Sequence, residues 1–162
     1  SSSEQNSPAS SSNSTEAIEN SPMQYISREE LKDAITSLQE NYVILDVRKA
    51  ADYQESHLIN SLSADMDAAK EGDHDSGIAN LNEALKIATG RETGKEGCSY
   101  ILLCYSGKSY AQKATDLLIT MGIESQSIFT LEGGYKGWTE KDTNGVDYAQ
   151  YILEEDTLGT VQ

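Results

Sequence analysis

Short runs of mainly apolar residues, the first of them broken only by Asp46, alternate with stretches in which apolar residues recur every three or four positions. The apolar runs lie at residues 42–47, 99–104 and 127–131, and such runs predict strands that are buried on both faces of a sheet. Three stretches have the spacing of a helix with one apolar face that we predict to be buried. The faces consist of Leu31, Ala34, Ile35 and Leu38; of Ile78, Leu81, Ala84, Leu85 and Ala88; and of Tyr110, Ala114, Leu117, Leu118 and Met121. The alternation predicts an α/β domain with a small, mostly parallel sheet flanked by helices on both faces.

Polar residues and glycines mark where several of these elements begin and end. Ser27 and Glu30 have the spacing of a capping box at the start of the first helix. Gly122 stands where the C-terminal cap of the third helix is expected. Weaker patterns predict a short helix at residues 50–55, a brief strand at 57–59 and a short helix at 148–155.

Composition divides the chain into three parts. Residues 1–22 are rich in serine and poor in apolar side chains, so burial cannot offset the entropy of ordering them and we predict a disordered linker. We assign the α/β domain to residues 23–140, and residues 141–162 to a C-terminal extension that packs on the domain or frays in part. A serine-rich linker is typical of a mature surface lipoprotein behind its lipidated N-terminus, and an intracellular domain with a disordered tail fits equally well. An extracytoplasmic, tethered location and a cytoplasmic one therefore both stay open.

Acidic residues dominate the charge of the chain, which has a net charge of −15 and a pI near 4.3. Such a chain repels polyanions, so we expect neither nucleic acid nor an anionic membrane surface as a partner. A small anionic substrate would need a local positive site to overcome this field. The sequence shows neither an apolar run long enough to span a bilayer nor a signal-peptide pattern, and we expect a monomer.

The two cysteines and two histidines lack the spacing of a metal site, and the acidic run at 65–75 lacks the order of a calcium-binding loop. We therefore expect no metal and no cofactor. Cys98 precedes Cys104 by about 20 Å along an extended strand, which is too far for a disulfide without a bend. Cys98 is expected to be a structural or surface thiol, with a resolving cysteine as the alternative.

Cys104 is the candidate nucleophile. It ends a buried strand just before a helix, where unpaired backbone N–H groups and the helix dipole favour the reactive thiolate. Residues 105–109 can curl so that successive N–H groups point at the sulfur, because Gly107 permits the tight backbone that this requires. Ser106 and Ser109 add hydroxyl groups and Lys108 adds a positive charge. A buried structural cysteine is the alternative interpretation.

Three separated motifs resemble those of the rhodanese family. Residues 44–48, with Asp52-Tyr53 and Ser56-His57-Leu58, resemble its first conserved block. Residues 104–109 resemble its six-residue active-site loop, most closely that of single-domain bacterial thiosulfate sulfurtransferases, and residues 131–138 resemble its closing block. The resemblance covers about residues 23–138, with the motifs in the family's order.

The resemblance implies a sulfurtransferase with a small parallel sheet flanked by helices. Cys104 would take a sulfur atom from thiosulfate or a similar anionic donor as a persulfide and pass it to cyanide or a thiol. Asp46 and Arg48 are expected to form a structural pair near the site, and His57 is expected to be structural. Substrate binding is implied for the loop and the residue that follows it, namely Tyr105, Ser106, Gly107, Lys108, Ser109 and Tyr110.

Loop length argues against a related chemistry. Rhodanese-like phosphatases and arsenate reductases carry an arginine six positions after the cysteine, where this chain has Tyr110. Phosphoryl transfer without that guanidinium would lose its main transition-state stabiliser. The chain also departs from the sulfurtransferase pattern: an arginine found in the active site of many members is missing, and residues 63–97 are longer and more acidic than usual, which would reshape the rim of the site or bind a partner.

A second hypothesis is a catalytically weak sulfur-binding or sensing module with the same fold, tethered outside the membrane or not. Fold alone does not confer activity. Retention of Cys104 within a six-residue loop favours the enzyme, because an inactive module would more often have lost the cysteine.

Overall fold

A computed structural model describes residues 18–39, 41–142 and 144–154. Residues 1–17 of the predicted linker, and residues 143 and 155–162 of the predicted C-terminal extension, therefore lie outside the described residues. The strands are β1 (Gln24–Ile26), β2 (Tyr42–Asp46), β3 (Ser56–Leu58), β4 (Ser61–Ser63), β5 (Ser99–Leu103), β6 (Ile128–Leu131) and β7 (Ile152–Glu154). The α-helices are α1 (Arg28–Thr36), α2 (Ala50–Glu55), α3 (Asp67–Lys70), α4 (His74–Thr89), α5 (Ser109–Thr120) and α6 (Gly134–Thr139), and 3₁₀ turns cover Ser125–Ser127 and Tyr148–Tyr151.

Five strands form one parallel sheet in the order β1-β6-β5-β2-β4. The predicted strands β2, β5 and β6 occupy its centre, and Ile44 lies opposite Ile101 in the β2–β5 pair. All five strands run the same way, so their carboxyl ends meet at one edge. Sequence periodicity missed β1 and β4, because three residues are too few to show a pattern.

Alternating side chains of the central strands supply two hydrophobic cores, one on each face of the sheet. On one face Leu45 packs with residues of α4 and α5, such as Leu85 and Leu118. On the other face Ile44 packs with residues of α1 and α6, including Leu31. The predicted α/β architecture with helices on both faces is thus confirmed.

The long acidic segment at residues 63–97 forms part of the core. Its helix α4 begins at the Asp73 cap, whose carboxylate accepts from the backbone N–H of Ser76, and buries Leu81 and Leu85 against the sheet. Ala88, predicted to face inward, is exposed because it lies in the last turn of the helix, near Asn41 and Gly97, which precede the central strands.

The end of the domain corrects one prediction. In place of a helix at 148–155, the chain makes a 3₁₀ turn at Tyr148–Tyr151 and then strand β7, which pairs antiparallel with β3. Trp138 explains the change, because its indole Nε1–H donates to the backbone carbonyl of Tyr148 at 2.9 Å and its ring packs edge-on against the Tyr148 ring. These contacts hold Tyr148 in the core at the point where a regular helix would begin.

Helix α1 begins as predicted and ends earlier than predicted. The capping box is complete: the Ser27 side chain accepts from the Glu30 backbone N–H, and the Glu30 carboxylate accepts from that of Ser27. The helix ends at Thr36, and Leu38 has a left-handed φ of 56° and is 80% exposed, so its predicted inward position is wrong. No helix in the described parts of the chain is both long and apolar enough to cross a membrane.

The end of α1 can be tested with two identical substitutions. Leu31→Ala removes a fully buried side chain and should lower the free energy of unfolding by about 2–5 kcal/mol. Leu38→Ala alters an exposed side chain and should change it by less than about 0.5 kcal/mol. Urea unfolding followed by the fluorescence of the single tryptophan measures both. Comparable losses in the two variants would mean that the helix continues through Leu38.

Candidate active site

Cys104 lies at the carboxyl-end edge of the sheet, directly after β5. Its side chain is 1% exposed, and its Sγ accepts a hydrogen bond from the backbone N–H of Gly107 at 3.0 Å. Helix α5 begins at Ser109, so the thiol lies in the short loop between a buried strand and the N-terminus of a helix. The loop therefore curls back on its own cysteine, and the amide of Gly107 is the group that it turns toward the sulfur.

The curled loop depends on Gly107. This residue has a φ of +83°, in the left-handed region where side chains are strained. A Cβ here would also lie 3.0 Å from the backbone oxygen of Leu131, at the end of β6. Glycine thus lets the loop turn tightly and pack against the neighbouring strand.

The first turn of α6, residues 134–136, holds the loop from outside. The backbone N–H of Tyr135 donates to the carbonyl of Cys104 at 2.6 Å, and that of Lys136 donates to the carbonyl of Tyr105 at 3.1 Å. Gly134 touches the loop so closely that a Cβ there would lie 2.5 Å from the Cys104 carbonyl oxygen. The segment at 131–138, which resembles the closing block of the family, therefore holds the cysteine loop through its backbone. We call residues 134–136 the clamp.

The pair Asp46 and Arg48 braces the side of the site. Arg48 Nε and Nη2 donate to the carboxylate of Asp46, the latter at 2.8 Å, and Nη2 also donates to the carbonyl of Ser56 at 2.7 Å. Burial raises the pKa of Asp46, and the guanidinium opposes that shift. The Arg48 guanidinium stacks on the Tyr135 ring at 3.8 Å and lies 5.9 Å from that of Tyr105. This ion pair links β2 to both the loop and the clamp.

Two tyrosines with carboxylate partners form the rim of the site. Tyr105 and Tyr110 meet edge to face with ring centroids 5.3 Å apart. The Tyr105 hydroxyl donates to Asp52, and the Tyr110 hydroxyl donates to Asp67 at 2.7 Å. Burial, reinforced by Asp52, raises the pKa of Tyr105 to about 12, and burial with Asp67 raises that of Tyr110 further. Both phenols stay neutral and fixed at neutral pH.

The structure brings most of the predicted site residues together. Residues 104–110 form one loop and helix start, with the Asp46–Arg48 pair beside them. His57 lies apart from these contacts: it stacks on Tyr53 with ring centroids 3.9 Å apart, and its Nδ1 is 2.8 Å from the Tyr53 carbonyl oxygen. Cys98 precedes β5 at the opposite edge of the sheet, and both cysteines are free.

Four residues that shape the site were not among the predicted site residues: Asp52, Asp67, Gly134 and Tyr135. Gly134 and Tyr135 lie in the motif at 131–138, but nothing local shows that this segment contacts a loop some thirty residues earlier. Asp67 lies in the unusually acidic segment, so that segment does contribute to the rim. The acidic composition of the segment does not show which side chain each of its carboxylates binds.

Fold and loop together define a class: an α/β domain that carries a cysteine between a central parallel strand and a helix N-terminus. The sequence pattern of the rhodanese-like domain matches residues 27–141, and the chain belongs to that family. No curated protein matches the chain.

Solved structures agree on the fold. A yeast protein tyrosine phosphatase of the rhodanese family superposes with a TM-score of 0.59 at 18% identity, covering 83% of this chain and 94% of its own. A Bacillus halodurans protein gives 0.56 at 19%, covering 82% and 77%, and a rhodanese-related protein from Thermoplasma volcanium gives 0.50 at 22%, covering 80% and 97%. At these identities the similarity shows the fold alone.

The clamp can be tested at Gly134. Gly134→Ala places a methyl group against the loop backbone, so it should destabilise the protein by about 1–3 kcal/mol beyond the cost of a left-handed alanine. Gly90→Ala is the matched control, because Gly90 has a φ of +85° with nothing within 4 Å of its added Cβ. In a Cys98→Ser background, Gly134→Ala should also speed alkylation of the buried Cys104. Equal stability and equal alkylation rates in the two variants would contradict the clamp.

The rim can be tested by alkaline titration. Because the folded-state pKa of Tyr105 lies above the ordinary value of about 10, its contribution to stability is complete below pH 10 and is lost as the pH rises toward 12. Tyrosinate absorbance should show that Tyr105→Phe removes one ionisation near pH 12. Loss of an ionisation near pH 10 in this variant would contradict the burial of Tyr105 and its bond to Asp52.

Proposed function

We propose that this rhodanese-like domain is a sulfurtransferase that carries sulfur as a persulfide on Cys104. The observation that carries the proposal is the six-residue loop in which the Gly107 amide donates to the buried sulfur of Cys104. A donor fixed in this position stabilises negative charge on a thiolate or on sulfur attached to it.

Loading begins with attack of the Cys104 thiolate on the outer sulfur of thiosulfate or a similar donor. A bond forms between Sγ and that sulfur, the donor's sulfur–sulfur bond breaks, and sulfite leaves with the bonding electron pair. The terminal sulfur of the new persulfide bears the negative charge. The Gly107 amide would stabilise this charge together with the positive end of α5, which begins two residues later, and Lys108 would add attraction for the anionic donor.

Transfer of the sulfur from Cys104 to an acceptor is a second displacement at sulfur, in which Cys104 is the leaving group. Cyanide or the thiolate of an acceptor attacks the terminal sulfur, the bond to Cys104 Sγ breaks, and the electron pair returns to regenerate the thiolate. Thiocyanate or the acceptor persulfide leaves. Neither half-reaction needs an outside oxidant or reductant, so the chain can cycle with only a donor and an acceptor.

A phosphatase is a weaker candidate, although a yeast relative in fold is described as a tyrosine phosphatase. In this chain the sixth position after the cysteine is Tyr110, whose hydroxyl is bound to Asp67. A neutral phenol tied to a carboxylate cannot replace the bidentate guanidinium that would hold an equatorial phosphate. The nearby Arg48 is held by Asp46 and stacked on Tyr135, so it supports the loop and is committed there.

Intact-mass measurement tests the proposal. The protein is exposed to thiosulfate, and we expect the mass of one added sulfur atom, which disappears after cyanide treatment. Cys98→Ser should gain the sulfur and Cys104→Ser should not, which assigns the site between the two free cysteines.

Other outcomes would reject the enzyme. No added sulfur on the unmodified protein would contradict transfer through Cys104. Sulfur that loads but is not released to cyanide or to any thiol would favour the alternative, a sulfur-binding or sensing module. Release of phosphate from a phosphotyrosine peptide, lost in Cys104→Ser, would favour the phosphatase.

A further inference from the structure

A cavity of about 550 Å³ lies beside the cysteine loop, against the first turns of α5. Its size is within the range of small-molecule sites. Three lysines line it, Lys70, Lys108 and Lys113, out of only twelve basic residues in a chain of net charge −15. The backbone at the start of α5, from Ser109, adds the positive end of a helix dipole.

Aromatic rings hold two of these lysines in place. The Lys70 ammonium lies 4.7 Å from the centroid of the Tyr110 ring, and the Lys113 ammonium donates to His74 Nε2 at 3.2 Å. Ion pairs between described residues involve other basic side chains, so no described carboxylate neutralises the cavity lysines. Their positive charge is therefore available to an anion.

The acidic residues of the cavity wall compete little with a bound anion. Asp116 is 2% exposed, and its carboxylate accepts from the backbone N–H groups of Asn20 and Ser21 and from the side chain of Gln112. Three neutral donors thus occupy this carboxylate, and it forms no ion pair with the cavity lysines among the described residues. The other acidic residue, Glu19, is exposed at the edge of the wall.

Two adjacent residues of the cysteine loop connect the cavity to the reacting sulfur. Gly107, whose amide is 3.0 Å from Cys104 Sγ, is bonded directly to Lys108, and Lys108 lines the cavity. The Cα of Lys108 is therefore within roughly 8 Å of the sulfur, because only the hydrogen bond and the length of one residue separate them. A molecule seated in the cavity could present a thiol to the loop while its body stays among the lysines.

We infer that this cavity binds the charged body of the sulfur acceptor, an organic thiol whose non-reacting part carries carboxylate or phosphate groups. The inference rests on the proposed function for the role of the thiol, and on the cavity alone for the anion site. Acceptor binding here uses Lys70 and Lys113, which lie outside the cysteine loop, so it is separable from donor loading.

Binding is tested first with molecules that cannot react. S-methylglutathione, which carries carboxylates, and S-methyl coenzyme A, which carries phosphates, are titrated into the protein by calorimetry, and the stronger binder identifies the anionic group. Lys113→Gln and Lys70→Gln should each weaken binding about two- to fivefold, as expected for one exposed charge pair. Higher ionic strength should weaken it as well, because salt screens such pairs. Lys86→Gln, an exposed lysine of α4, is the matched control and should bind as the unmodified protein does.

Kinetics provide the second readout. In thiosulfate-dependent transfer, Lys113→Gln should raise the KM for the better anionic thiol relative to that for the neutral thiol mercaptoethanol. Equal changes in the two KM values, equal binding of the S-methyl probes to Lys113→Gln and Lys86→Gln, or no binding of either probe would overturn the inference. If Cys104 forms no persulfide, the proposed function fails, whereas the calorimetry still decides whether the cavity is an anion site.

Discussion

Two backbone hydrogen bonds from the first turn of α6 fix the conformation of the cysteine loop, on which the geometry of the site depends. The amides of Tyr135 and Lys136 donate to the carbonyls of Cys104 and Tyr105, and they can do so because Gly134 lets the two backbones touch. Because those carbonyls are directed toward α6, the loop can direct the Gly107 amide inward to the sulfur. The geometry at the thiol is therefore set mainly by backbone, and depends little on which side chains the loop carries.

The parallel sheet makes this contact possible. Strands β5 and β6 are neighbours and end at the same edge, so the residues that follow them must meet there. The third neighbour, β2, ends with Asp46 and sends Arg48 across to stack on Tyr135. The two hydrophobic cores keep the three strands in register, and the polar site is built only where the strands stop.

The sequence predicted the features that repeat or lie close together along the chain. The central strands follow from apolar runs, α1 begins at its capping box, and the loop glycine follows from the tight turn beside Cys104. Features that join distant segments could not be predicted in this way: the clamp at Gly134, the Tyr110–Asp67 bond and the pairing of β7 with β3. The helix predicted at 148–155 was wrong because contacts of Trp138 with Tyr148, ten residues apart, override local propensity there.

The most direct test of the account is the amide resonance of Gly107 during sulfur loading. In protein labelled with ¹⁵N-glycine, which has twelve glycines, the Gly107 signal should move strongly when thiosulfate is added and return when cyanide is added. The signals of Gly97 and Gly122, which lie together at the opposite edge of the sheet, should stay in place. Persulfide formation that leaves the Gly107 signal unmoved would contradict the central claim that this amide holds the charge on sulfur.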